Sequence, residues 1–282
     1  MTTGMAVEEQ RPHPGFAPYR RLRERLLGLP DGQWVEHCNR LAAGRGLRSA
    51  SGAAIGFVRD EQPDGALDYE ASILERGRIA CRAHGRGALH DLHNALTWLT
   101  FPTVKATLNR LHLEHRQPDN SRRGRVRDRV TLLDESGLLW LSRSPRLDVQ
   151  LLARDWRGLM VENRAQVSAL VLPIIIGHGL LEKLAAPYKA MTAHCLVCSG
   201  DWQAATAQSP EVIPAAVPAV ILESIDAVLA AGLDAMLASH IEAAFRAGPP
   251  RLAPLPILGL PGWDAANVDA SYYDDPRVFR AT

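Results

Sequence analysis

Proline cuts the most apolar stretches of this chain, which limits the elements they can form. Pro102 interrupts a helical pattern running from Leu89 to about His115, and Pro173 and Pro187 bracket the apolar run Ile174 to Leu184. Pro254, Pro256 and Pro261 stud the C-terminal stretch. A proline lacks the amide hydrogen that a helix interior or inner strand needs, and its ring clashes with the preceding turn. The most apolar segments, Val167 to Ile176 and Val212 to Leu222, are both broken this way, and each falls short of the roughly 20 residues of a membrane helix. No membrane association is expected. Met1 to Gly15 is polar and proline-containing and reads as a disordered tail, without the apolar run of roughly 7 to 15 residues that a secretion signal carries. Cys38, Cys81, Cys195 and Cys198 are too few for a disulfide framework, so the expected location is cytoplasmic.

Hydrophobic residues at 46% and charged residues at 22% allow a sizeable core and exclude fibrous or wholly disordered chains. The punctuated pattern predicts an α+β fold, a single mostly helical domain over residues 16–282 around a small antiparallel sheet. Its clearest β signal is Val130 to Leu133, the turn-like Asp134-Glu135-Ser136-Gly137, then Leu138 to Leu141, a hairpin near residues 129–142. Ile55 to Val58 and Met191 to Cys198 read as strands, and Asn163 to Leu172, Ile174 to Leu184 and Pro218 to Phe245 read as helices. Residues 252–282 have no periodicity and are expected to be extended. Trp263, Tyr272, Tyr273 and Phe279 should hold that segment to the body, because disordered tails are poor in aromatics.

Two places carry polar residues where packing would prefer leucine. His90, Asp91, His93 and Asn94 open the long helical pattern, and on a helix His90 shares a face with His93 and Asn94. His178 and Glu182, four residues apart, sit in the otherwise apolar run from Ile174. Buried there, they need partners, since an unpaired buried charge is very costly. A metal or a buried ion pair satisfies them. A third feature is cationic. The chain has 29 arginines and only three lysines at a net charge of +1, and Arg122, Arg123, Arg125, Arg127 and Arg129 form its densest run. Read as the entry to a strand, that run puts Arg125 and Arg127 on one face and Asp128 on the other, toward the core. Cys195-x-x-Cys198 lacks the second pair of a zinc site, and no GxGxxG, Walker, HExxH or GxSxG motif is present.

Several of these segments, in order, resemble a known bacterial family. They are His90-Asp91-Leu92-His93-Asn94-Ala95-Leu96-Thr97-Trp98-Leu99-Thr100-Phe101-Pro102, Arg125-Val126-Arg127-Asp128, Gly177-His178-Gly179-Leu180-Leu181-Glu182-Lys183 with Pro187-Tyr188, Pro254 to Trp263, and Tyr273-Asp274-Asp275-Pro276 with Val278-Phe279-Arg280. Together, from about Phe57 to Arg280, they look like DUF3025, a domain of unknown function. The resemblance implies a one-domain bacterial protein and carries no activity. The family pattern has an aromatic residue at the position of His93, so His90 ranks above His93 as a ligand.

The leading expectation is a metal-dependent, hydrolase-like enzyme acting on a small anionic substrate. His90 and His178 would bind a divalent metal ion, Asp91, Asp128 and Glu182 would supply catalytic carboxylates, and Arg125 and Arg127 would bind the anion. The alternatives are a non-catalytic polyanion or nucleic-acid binder using Arg122 to Arg129, which the near-neutral charge disfavours, and a structural or partner-binding protein.

Overall fold

The computed structural model describes residues 13–30, 32–59, 66–115, 124–199 and 232–280. The tail expected over residues 1–15 lies outside them up to residue 12. His13 to Gly15 are not tail: Gly15 is buried, and His13 Nε2 is 2.9 Å from the Trp263 carbonyl. Arg122, Arg123 and the first half of the helix expected from Pro218 also lie outside the described residues.

In chain order the helices are α1 (Arg20–Leu27), α2 (Trp34–Gly44), α3 (Ala66–Arg76), α4 (Ala88–Thr100), α5 (Pro102–Glu114), α6 (Arg125–Ser136), α7 (Pro145–Ala153), α8 (Arg164–Leu170), α9 (His178–Leu184) and α10 (Leu233–Arg246). The strands are β1 (Gly56–Arg59), β2 (Arg78–Cys81), β3 (Gly137–Ser142), β4 (Val171–Ile175), β5 (Thr192–Ser199) and β6 (Ala253–Pro256). β1 and β2 pair in parallel across α3. The main sheet has the order β4-β3-β5-β6. Every residue of its central strand β3 is buried, with Leu138 opposite Ile175 of antiparallel β4 and opposite Cys195 of parallel β5. The α+β class therefore stands, but the sheet is mixed and not antiparallel throughout. Its two edges are the strands with proline, Pro173 in β4 and Pro254 and Pro256 in β6, since an edge tolerates a missing donor.

The expected hairpin is not formed. Residues 125–136 are helical, and α6 passes into β3 at Gly137 with no residue between. Val130 and Leu133, one turn apart, are both fully buried, and the Thr131 hydroxyl donates to the Arg127 carbonyl at 3.0 Å. The β preference of the Val-Thr pair yields to this packing, and β3 finds its partners far along the chain instead. The reverse error falls on Val171 to Ile175, whose apolar run reads as helix and forms β4. Pro102 does divide two helices. Phe101 leaves the helical region (φ −128°, ψ 62°), and Pro102 opens α5, a position where its missing amide costs nothing. The next amides, Thr103 N and Val104 N, donate to the Asp234 carboxylate of α10 at 2.7 and 3.0 Å, so a distant side chain satisfies the start of α5.

Buried apolar residues from Phe16 to Phe279 form one cluster. The C-terminal aromatics belong to it: Trp263, Tyr272, Tyr273 and Phe279 are all buried. No helix among the described residues is long and apolar enough to cross a membrane.

Candidate metal centre

The start of α4, the end of α6 and the start of α9 meet at one point, and two glycines make the approach possible. A Cβ at Gly177 would lie 2.3 Å from the Gly137 amide nitrogen, and one at Gly179 would lie 2.6 Å from Glu135 Oε2 and 3.1 Å from the Glu135 carbonyl oxygen. With hydrogens in those places, α9 closes on the α6–β3 junction. The Gly137 carbonyl accepts from the amides of Ile176 and Gly177, both at 3.0 Å. His178, between the glycines, is buried at the head of α9.

The side chains then converge. His178 Nε2 lies 3.1 Å from His90 Nε2 and 3.6 Å from Glu135 Oε1. One donor atom from each of His90, Glu135 and His178 falls within 4.8 Å of the other two. His90 Nδ1 is 2.9 Å from Glu182 Oε2. With Nδ1–H donating to that carboxylate, His90 Nε2 carries the lone pair. His178 Nδ1 points toward Asp134, whose Oδ2 is 3.9 Å away, and has no partner at hydrogen-bond length among the described residues. Around a tetrahedral zinc with Zn–N near 2.0–2.1 Å, neighbouring donor atoms stand about 3.3 Å apart. The observed 3.1 and 3.6 Å bracket that separation. A carboxylate behind a ligating histidine, as Glu182 lies behind His90, is the usual device that fixes tautomer and ring orientation.

The surrounding charges favour neutral imidazole. Burial, with the Lys105 ammonium, pushes His178 down to about 3 against the opposing pull of Asp134. His178 is therefore a lone-pair donor at neutral pH, the form a metal requires. Burial raises Glu135, and the neighbouring Asp134 charge adds to the rise. Burial also works against Asp134, but Lys105, His178 and His112 outweigh it and hold that carboxyl at about 2. Lys105 is itself buried and ion-paired to Asp134.

Of the expected residues, the structure brings His90, His178 and Glu182 together and leaves the others apart. Asp91 is nearly buried and fully engaged by Arg82, accepting from its amide and Nε at 2.7 Å and from Nη2 at 2.8 Å; it clamps β2 to α4. Asp128 does not face the core. It is exposed in the first turn of α6, where a carboxylate complements the helix dipole, and about 10 Å along the helix axis from Glu135 at 1.5 Å per residue. Arg125 and Arg127 lie still further back on α6, about 15 and 12 Å along the axis from Glu135. Helical rather than strand geometry removes them from the centre. His93, fully buried one turn after His90, instead receives a 3.4 Å contact from Arg23 Nε and lies 2.8 Å from the Leu89 carbonyl through Nδ1. Cys195 and Cys198 are free and buried, their thiols pushed up by burial. The residue missed is Glu135, concealed in a segment read as a turn. The helical signal was there in Val130 and Leu133.

The molecule is thus an α+β protein whose described residues include a two-histidine, one-glutamate cluster at the junction of three helices. The chain belongs to the family DUF3025, described as a protein of unknown function, whose model matches residues 55–282. No curated protein and no solved structure matches it.

Proposed function

We propose that the chain is a metal-dependent hydrolase-like enzyme, with a divalent transition metal held by His90, His178 and Glu135 and a small anionic ester as substrate. One observation carries the reading: two imidazole nitrogens face each other at 3.1 Å beside a glutamate oxygen, while the far nitrogen of His90 is on Glu182. Two histidines and one glutamate with an open position form a donor set of zinc hydrolases. A metal bound there supplies a water acidic enough to act as a nucleophile near neutral pH. Glu182, at the Nδ1 edge of the His90 ring and so on the side away from the metal position, would hold that imidazole in register. Hydrolysis there would join the water oxygen to the ester centre as the ester bond breaks, and the leaving oxygen would take up the proton that the water sheds. The Lys105–Asp134 pair stands behind His178, with Asp134 Oδ2 3.9 Å from Nδ1.

Titration of the metal-stripped full chain with zinc, followed by calorimetry and melting, is the test. One equivalent should bind, and at a hundredfold excess over Kd it should stabilise by about 2.7 kcal/mol, near 5 °C for a chain of this size. H178A and E135Q should abolish both effects. A chain that binds none of zinc, manganese, iron or cobalt and whose melting ignores them overturns the reading. Zinc-independent, salt-sensitive binding to nucleic acid would turn attention back to Arg122 to Arg129.

A further inference from the structure

One helical turn beyond His90, beside His93, stands a guanidinium with no ion-pair partner among the described residues. Arg23 of α1 is half-buried, its guanidinium carbon 4.3 Å above the ring of buried Phe16. Its Nε points at His93 Nε2, 3.4 Å away, one helical turn beyond His90. Phe16 and His93 stack at 6.1 Å between ring centroids, so the three side chains form a continuous wall. That wall adjoins the centre because the segment Pro14–Tyr19 that carries Phe16 packs against both α4 and α9. Neither terminal nitrogen of Arg23 has a hydrogen-bond or ion-pair partner among the described residues, and neither is among the atoms sealed from solvent. Burial depresses the guanidinium, and the charge of Glu24, next along α1, opposes that. Arg82, the neighbouring alternative, is already neutralised by Asp91.

The terminal nitrogens of this half-buried cation reach solvent, and its free edge offers two parallel N–H groups of the kind that fork onto an oxyanion. We propose that Arg23 is the anion-binding residue of this site and that the substrate class is a phosphate monoester. The inference rests on the metal reading above. A phosphoryl group has non-bridging oxygens enough for both the guanidinium fork and the centre, whereas a carboxylate engaged by the fork has none left over. Phe16 holds the guanidinium plane by stacking, and the neutral imidazole of His93, held down at about 4 chiefly by burial, accepts from Nε and leaves the fork free.

The experiment titrates inorganic phosphate by calorimetry into the zinc-loaded full chain, into the same chain stripped of metal, and into R23Q and R23K. R23Q keeps the stem on Phe16 and loses the charge; R23K keeps the charge and loses the fork. The expected result is at least a tenfold weaker phosphate affinity in R23Q and an intermediate value in R23K, with zinc affinity and melting temperature unchanged in both. Phosphate binding to zinc-loaded R23Q as tight as to the parent overturns the proposal, as does a zinc-loaded parent that ignores phosphate. If the parent binds no zinc, the metal reading falls on its own. The metal-free titration then decides Arg23 separately: phosphate binding lost in R23Q keeps the subsite, and its absence in the parent ends it.

Discussion

Replacing Gly179 by alanine should weaken metal binding at the proposed centre without deleting a single donor atom. The added methyl would stand 2.6 Å from Glu135 Oε2, where ordinary van der Waals contact begins near 3.4 Å. The carboxylate must therefore retreat by about 0.8 Å, while metal–ligand distances tolerate only about 0.2 Å. The fold has little reason to object. The displaced atom is the free end of a flexible side chain, the 3.1 Å contact with the Glu135 carbonyl needs only a slight adjustment, and alanine in a helix recovers about 0.5–1 kcal/mol over glycine. Zinc affinity should fall about 10- to 100-fold, the loss seen when a ligand's support is disturbed, or about 1.4–2.8 kcal/mol. A chelator-competition titration reads the affinity, and a melt without metal reads the fold. G179A that binds zinc as tightly as the parent refutes the geometric argument and removes Glu135 from the ligand set.

Two further outcomes concern stability. Burial, reinforced by the Asp134 charge, raises Glu70 to about 7, so the folded chain keeps this proton over a range where the unfolded chain, near 4.5, has lost it. The sign follows: stability is fullest below pH 4.5 and declines as pH rises through 7, by up to about 3 kcal/mol. Urea titrations of parent and E70Q at pH 4.5 and 7.5 should show this slope in the parent alone; equal slopes would exclude Glu70 as its source. D234A strips the acceptor from the amides of Thr103 and Val104 and should lower the unfolding free energy by about 2 kcal/mol, with D234N losing less. A shift in urea midpoint equivalent to under 0.5 kcal/mol in D234A would show that water replaces the cap.

How much of this was legible depended on whether a residue's meaning was local. Pro102 divides two helices wherever they pack, and the aromatic C-terminal segment has to be buried somewhere, so both were readable. His90, His178 and Glu182 stood out because an apolar helix gives a polar side chain no local reason to exist. The hairpin failed for the opposite reason. Val130 to Leu141 satisfies strand preferences, but β3 has stronger partners in Val171–Ile175 and Thr192–Ser199, whose positions depend on the whole fold. That one error carries four others with it, since strand alternation misplaces Asp128, Arg125 and Arg127 and the turn reading takes in Glu135. Arg23 left no trace in the chain. Its place against Phe16 and His93, with no partner for the terminal nitrogens among the described residues, is revealed only by packing.

The direct passage from α6 into β3 has a mechanical consequence. Glu135 sits two residues before the most heavily bonded strand of the sheet, and His178 follows the Ile176 and Gly177 amides that clasp the Gly137 carbonyl. The backbones that carry Glu135 and His178 are therefore tied to each other through a single peptide group. Separating them means breaking the centre of the sheet, an event drawn from the global end of the opening spectrum and not from loop fraying. An ion held there would come and go by rotation of side chains such as partly exposed Glu135, with exchange kinetics set at the surface while the frame behind it stays closed.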